Sequence, residues 1–181
     1  MTIRRAKMAE YAGIERLYRK LIEALRGSEF KPQWEWGVYP TERMLKDAIS
    51  EGTFWVAELN AETDSGKACE LVGVMVLNHE CAPEYVRANW RVEAGPDEVA
   101  VLHVLGVLPA YHGRGVAKQM IAHAAEICRR DGKKAIRLDV LEGNVPAARI
   151  YEAMGFEFVQ DMKIYYEDTG VTDFLLYELV L

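Results

Sequence analysis

The strongest constraint on the fold is a handover near the middle of the chain. An apolar run rich in β-branched residues, "VAVLHVLGV" (residues 99–107), leads into "LPAYHGRGVAKQMI", where Gly113 and Gly115 flank Arg114. A helix-like periodicity then runs to Arg130, and a second apolar run, "KAIRLDVL", follows it. Strand, glycine turn, helix and strand in that order predict a βαβ unit, whose two strands lie parallel. Glycine lets the backbone turn tightly and lets another group come close. The first turn of the helix expected from Val116 offers free N–H groups and the positive end of a dipole. Such a junction is an anion site, most often one for phosphate. An ordinary glycine turn with two solvated cations, Arg114 and Lys118, is the alternative.

Around this unit the pattern reads as helices first, then an antiparallel meander. "TIRRA" is a short opening strand. From Ala9 to Leu25 the residues Ile14, Leu17, Tyr18, Leu21 and Ile22 recur at helical spacing, and Gly27 is expected to end that helix. Thr41 caps a second helix whose apolar face is Met44, Leu45, Ala48 and Ile49. "TFWVAEL" and "ELVGVMVLN" predict a hairpin joined by the polar residues 60–69. A short helix, "VPAARIYEAM", and strands "FEFVQ" and "DFLLYELVL" follow the βαβ unit. With 181 residues, half of them apolar and 28% charged, the expectation is a single α/β domain. Its sheet is mixed and mostly antiparallel, with six to seven strands flanked by helices.

A net charge of −6 argues against a broad nucleic-acid or anionic-membrane footprint. The basic charge gathers on residues 112–134, where six cations face only Glu126 and Asp131. Three cysteines, far apart, form no C-x-x-C pair and imply neither a zinc site nor a disulfide framework. The N-terminal residues lack the apolar core of a signal peptide, and the longest apolar run is too short to span a bilayer. The expectations are a cytoplasmic protein with no metal, no nucleic-acid partner and no membrane partner. A homodimer is left open.

The glycine loop lacks the Gly-Lys-Ser/Thr ending of a P-loop, and Lys118 stands where G-x-G-x-x-G needs its third glycine. Asp139, ending the next strand, keeps a dinucleotide-binding reading open. A closer match is the loop signature Gln/Arg-x-x-Gly-x-Gly/Ala, which here reads His112-Gly113-Arg114-Gly115-Val116-Ala117, with His112 at the first position. One βα unit later comes "GNVPAARIYEAMGFEFV", carrying Asn144, Ala147, Ala148, Tyr151, Gly155 and Phe156. With both signatures in order, nearly the whole chain resembles the GNAT superfamily, the acetyl-CoA-dependent N-acetyltransferases.

The resemblance implies acetyl-CoA as co-substrate. Its pyrophosphate would lie on the backbone N–H groups of residues 113–118, Gly113, Arg114, Gly115, Val116, Ala117 and Lys118, at a helix start, with His112 a further donor to a phosphate or else exposed. Its pantetheine would run along Leu105, Gly106 and Val107 between splayed central strands, with Asn144 and Ala147 in contact. Gly106, a lone glycine in a strand, reads as a bulge or a close backbone approach. An N–H near Leu105 or Gly106 would polarise the thioester carbonyl. Tyr151 matches the position whose phenol protonates the departing thiolate; its alternative is a core aromatic. Asn144 doubles as an N-cap.

On the acceptor side, His103 suits a general base titrating near neutrality, or is a satisfied core histidine. Glu98, at the strand's start, is the second candidate base, acting through water, or a solvated turn residue. Trp34, Trp36, Tyr39 and Trp90, with Tyr85, sit in the two segments that frame the acceptor pocket in relatives, where they line the pocket or form the core beneath long loops. The expected activity is transfer of acetyl to a primary amine, small molecule, amino acid or peptide, by direct attack in a ternary complex. The alternative is a CoA-binding regulatory or sensor domain that has lost turnover.

Overall fold

The computed structural model describes residues 1–26, 34–63 and 66–181. Gly27, residues 28–33 and hairpin residues 64–65 lie outside them. Among the described residues seven strands form one sheet. β1 (Thr2–Arg5), β2 (Phe54–Thr63), β3 (Gly66–Asn78) and β4 (Val99–Val107) are antiparallel neighbours in chain order. β5 (Ala135–Leu141) lies parallel to β4, as the crossover requires. β6 (Glu157–Tyr166) and β7 (Gly170–Val180) complete the sheet as a hairpin, with β7 beside β5.

The predicted hairpin and the two C-terminal strands are longer than their apolar runs. β2 and β3 continue into the polar residues between them. β6 continues past "FEFVQ" to Tyr166, and β7 begins at Gly170. In that extension Met162, Ile164 and Tyr166 alternate inward against Phe174 and Ala82. Lys163 meets its cross-strand partner Asp173 in an exposed ion pair of 2.8 Å. The charges at 161 and 163 that interrupted the apolar pattern therefore stand on the outward face of the pleat.

Alternating side chains of β3 feed two cores. Val74 and Val76 pack with α1 (Tyr11–Leu25) and α2 (Glu42–Ser50), through Ile14, Leu17, Tyr18, Leu21 and Leu45. Thr41 caps α2 as expected, its Oγ1 accepting the Met44 N–H at 3.0 Å. Met75 and Leu77 pack on the other side with α3 (Val116–Arg130), through Met120, Ile121, Ala124 and Cys128, and with Tyr151 of α4 (Val145–Ala153).

β4 and β5 pair at only three positions: Val99–Ala135, Ala100–Ile136 and Val101–Arg137. Beyond Val101 the strands part. On its other edge β4 carries a bulge, for Val74 faces Gly106 while Val76 faces His103, so Val104 and Leu105 together oppose Met75. Val104 takes φ +45°, a left-handed conformation that a β-branched residue adopts only under constraint. The constraint comes from α1, whose fully buried Tyr18 donates its hydroxyl hydrogen to the Val104 carbonyl at 3.1 Å.

The bulge thus lies two residues before Gly106, where the sequence suggested it. Gly106 serves close approach instead: a Cβ there would stand 2.5 Å from Leu21 Cδ1 and 3.7 Å from Trp34. Tyr18→Phe keeps the edge-on ring contacts to Trp34 and Phe54 but removes the donor. It should destabilise the fold by about 1–3 kcal/mol, read from denaturant unfolding, because a buried carbonyl loses its partner.

Candidate active site

The parting of β4 and β5 opens a cavity of about 960 Å³. Its walls are residues 102–107 of β4 and 139–141 of β5, the glycine loop with the first turn of α3, the start of α4, and Leu21, Trp34 and Tyr39. The splayed strands expected from the resemblance are present.

Gly113 and Gly115 line the cavity with φ +74° and +76°. A Cβ at Gly113 would point into open space, so that glycine is set by backbone conformation and not by crowding. Gly115 is the N-cap of α3, and the first helical bond runs from Gln119 N–H to the Gly115 carbonyl at 3.0 Å. The N–H groups of Val116, Ala117 and Lys118 therefore head the helix without helical partners, on residues that face the cavity. His112 lines the cavity too, but one of its ring nitrogens lies 2.8 Å from the Val107 carbonyl, which ties the ring to the end of β4. Arg114 is exposed and stacks over the Tyr111 ring at 5.1 Å, outside the cavity wall.

Leu105, Gly106 and Val107 form the β4 wall, and Asn144, Ala147 and Tyr151 form the α4 wall. The Asn144 side chain accepts the Ala147 N–H at 3.3 Å, so its capping role and its place in the cavity coexist. Tyr151 is 9% exposed, packs edge-on to Phe156, and bonds its hydroxyl to no described residue. Burial, then the negative charge of Asp139, hold its phenol far above the ordinary value, so it keeps its proton.

His103 lines the cavity with Nε2 2.9 Å from the Glu80 carbonyl. A carbonyl can only accept, so the neutral ring carries its hydrogen on Nε2 and leaves Nδ1 as the acceptor. Burial lowers its pKa below the usual 6.5 against the opposing pull of Asp139, so the imidazole is neutral at pH 7.

Asp139 also faces the cavity, and its Oδ2 accepts two phenols, Tyr85 at 2.7 Å and Tyr166 at 2.8 Å. The sequence raised it only as a ribose ligand. A signal was available: Arg137 and Asp139 alternate with the buried Leu138 and Val140 on an interior strand, where charge needs a purpose. Asp168, in the turn between β6 and β7, is a second cavity carboxylate that sequence reading missed.

Trp34 and Tyr39 reach the cavity, while Trp36, Trp90 and Glu98 do not. Trp36 packs beside α1, with the Arg19 guanidinium 4.8 Å over its ring. Trp90 packs tilted against Tyr85 and lies under Arg137, and its indole N–H donates to the Tyr85 carbonyl. Tyr85 enters the site only through its hydroxyl. Glu98 is half-buried, pairs with Lys134 at 2.7 Å and accepts the Gly95 N–H, so it stabilises the turn before β4. Among the described residues no His, Cys, Asp or Glu cluster could hold a metal, and no helix is long and apolar enough to cross a membrane.

A parted sheet with a bulge beside the gap and a glycine-capped helix start at its mouth is the arrangement that the resemblance implied. Residues 15–156 match the model of the acetyltransferase (GNAT) family, and the chain belongs to that family. It is 30% identical over 82 residues to a mycothiol acetyltransferase of Corynebacterium glutamicum, which covers 45% of this chain and 28% of that protein. It is 36% identical over 64 residues to N-alpha-acetyltransferase 50 of Danio rerio, 35% of this chain and 38% of that one. The matched stretches span less than half of either curated relative. Among solved structures, a GNAT-family acetyltransferase of Listeria monocytogenes superposes with TM-score 0.70 at 24% identity, covering 99% of this chain and 94% of that one. Arabidopsis thaliana NAA60 in complex with acetyl-CoA gives 0.72 at 19% identity and 99% of both chains. At these identities the likeness is one of fold.

Gly115→Val puts a β-branched residue where φ is +76° and disturbs the N-cap of α3. Acetyl-CoA affinity measured by calorimetry on the folded variant should fall roughly ten-fold or more, about 1.4 kcal/mol.

Proposed function

We propose that the protein transfers an acetyl group from acetyl-CoA to a primary amine by direct attack in a ternary complex. The observation that carries this reading is one continuous cavity that joins three free helix-head N–H groups, a protonated phenol and a neutral imidazole. Val116, Ala117 and Lys118 would hold the pyrophosphate, aided by the dipole of the fifteen-residue helix α3. The edge of β4 along the gap suits the amides of pantetheine, which pair as a peptide would. When bound, acetyl-CoA supplies an activated acyl group.

The chain's own groups then manage protons. An alkylammonium must lose a proton before its nitrogen can attack, and His103 Nδ1 is the acceptor for it. Tyr151 donates its hydroxyl hydrogen to the sulfur as that atom takes up the electrons of the broken C–S bond. Overall an ammonium and a thioester become an amide, a thiol and one released proton. No described cysteine lines the cavity. Buried Cys128, whose thiol burial pushes up to about 11, is unsuited to an acyl-cysteine relay.

The reading is tested by thiol release from acetyl-CoA across a panel of amines, amino acids and peptides. Binding of acetyl-CoA with no release on any of them would point to a sensor that has lost turnover. A positioned acid contributes about 10²–10⁴-fold, so Tyr151→Phe should lower kcat at least ten-fold while calorimetric acetyl-CoA affinity stays near wild type.

The imidazole must be neutral to act, and burial pulls its pKa below 6.5. The acidic limb of kcat/KM should therefore fall below that pH. His103→Ala should abolish the limb and recover partly at high pH, where the amine has already lost its proton.

A further inference from the structure

One region of the cavity carries negative charge that no described residue neutralises. Asp139 and Asp168 both line it, and neither has a salt-bridge partner among the described residues. The one permanent cation among the described lining residues is Lys118, which belongs to the first turn of α3 with the glycine loop. His103 is held neutral by burial. Behind Tyr166 stands a third carboxylate, Glu84, one of whose oxygens is buried without a described partner.

The walls around these carboxylates are aromatic. The rings of Tyr39 and Tyr166 lie 6.4 Å apart with their planes inclined by 36°, and Phe174 packs edge-on to Tyr166 at 5.1 Å. Ring faces and carboxylates attract the same ligand, a cation. Asp139 commits Oδ2 to Tyr85 and Tyr166, which leaves Oδ1 for a donor from the cavity. The cavity awaits a polar occupant on independent grounds, for the Tyr151 hydroxyl enters it from a residue only 9% exposed and finds no described partner. Burial, and to a lesser extent the charge of Asp139, push the Asp168 carboxyl upward against its hydrogen bonds with the backbone of residues 168 and 169, and a cation between the two carboxylates would relieve the repulsion.

We infer that the acceptor is a dicationic amine, whose reacting ammonium is held by Asp139 beside His103 and whose second cationic group is held by Asp168 against Tyr39 and Tyr166. This rests on the acetyl-transfer reading of the same cavity. A monoamine of equal length would leave Asp168 unpaired, and an α-amino acid would bring its own carboxylate toward Asp139. Asp168 is then a determinant of specificity that makes no contact with the reacting atoms.

The test compares straight-chain α,ω-diamines of increasing length with monoamines of matching length, in thiol release from acetyl-CoA. Wild type should prefer the best diamine over its monoamine by roughly ten-fold or more in kcat/KM, as one added charge contact allows. Asp168→Asn should collapse that ratio toward one by raising the diamine KM. Glu167→Gln, which removes an equal charge from an exposed neighbour in the same turn, should leave the ratio unchanged.

Equal rates on diamines and monoamines in wild type, or a preference that survives Asp168→Asn, would overturn the inference while acetyl transfer stands. If no amine releases thiol, calorimetry of the diamines on protein saturated with CoA decides. Binding that Asp168→Asn weakens keeps the dication site and removes the transfer reading, whereas no diamine binding removes the dication site as well.

Discussion

β4 and β5 share three residue pairs, and the separation after Val101 creates the space on which every proposed contact depends. Parallel neighbours in a sheet do not part without cause, since each lost pair leaves N–H and C=O groups in need of partners. The extra residue in β4 supplies the cause, bending the strand and raising its local twist. It places Val104 in a conformation costing about 1–3 kcal/mol, which the Tyr18 hydrogen bond and the burial of Val104 among α1 side chains offset. A helix near the N-terminus thereby holds open a gap whose nearer strand it contacts across 86 positions of sequence. The gap's polar edges and the N–H groups heading α3 ask for the same kind of ligand, one with phosphates at one end and amides along its length.

The two electrical characters of the cavity explain how an acidic chain can use an anionic co-substrate. Its net charge of −6 would repel CoA, yet Lys118 and the positive end of α3 stand where phosphates would arrive. The carboxylates gather where β5 meets the β6–β7 turn, on the walls assigned to the acceptor. Separating the charges in this way would let one cavity receive the proposed anion and cation without either neutralising the other's site.

Much of this was legible in the sequence, and what was not has identifiable reasons. The βαβ unit, the glycine loop and the two capped helices follow from local periodicity and capping chemistry, so their boundaries agree closely. Gly106 left a bulge and a close approach both open, since a glycine in a strand is the local sign of either; the close approach holds, and Tyr18, 86 positions from the bulge, imposes the strained conformation on Val104. Aromatic residues announce burial but not direction: Arg19 and Arg137 hold Trp36 and Trp90 away from the cavity that Trp34 and Tyr39 reach. Asp139 and Asp168 become one feature only when β7 brings the far hairpin beside β5. The ends of β6 and β7 were hidden by an ion pair on their outward face.

The double hydrogen bond to Asp139 Oδ2 bears on how such a pocket could change over evolutionary time. Tyr85 comes from the turn Pro83–Arg87 and Tyr166 from the end of β6, so a single oxygen atom ties two separate walls to a third. Replacing either tyrosine releases the carboxylate toward the other and alters the charge presented to the acceptor, so the effects of substitutions on the two walls will not add. Lineages that retune the ligand choice of this cavity would be expected to change the three positions together or leave all three alone. Recombination between relatives that separates residue 85 from residue 166 would then damage selectivity even where each parent is fully active.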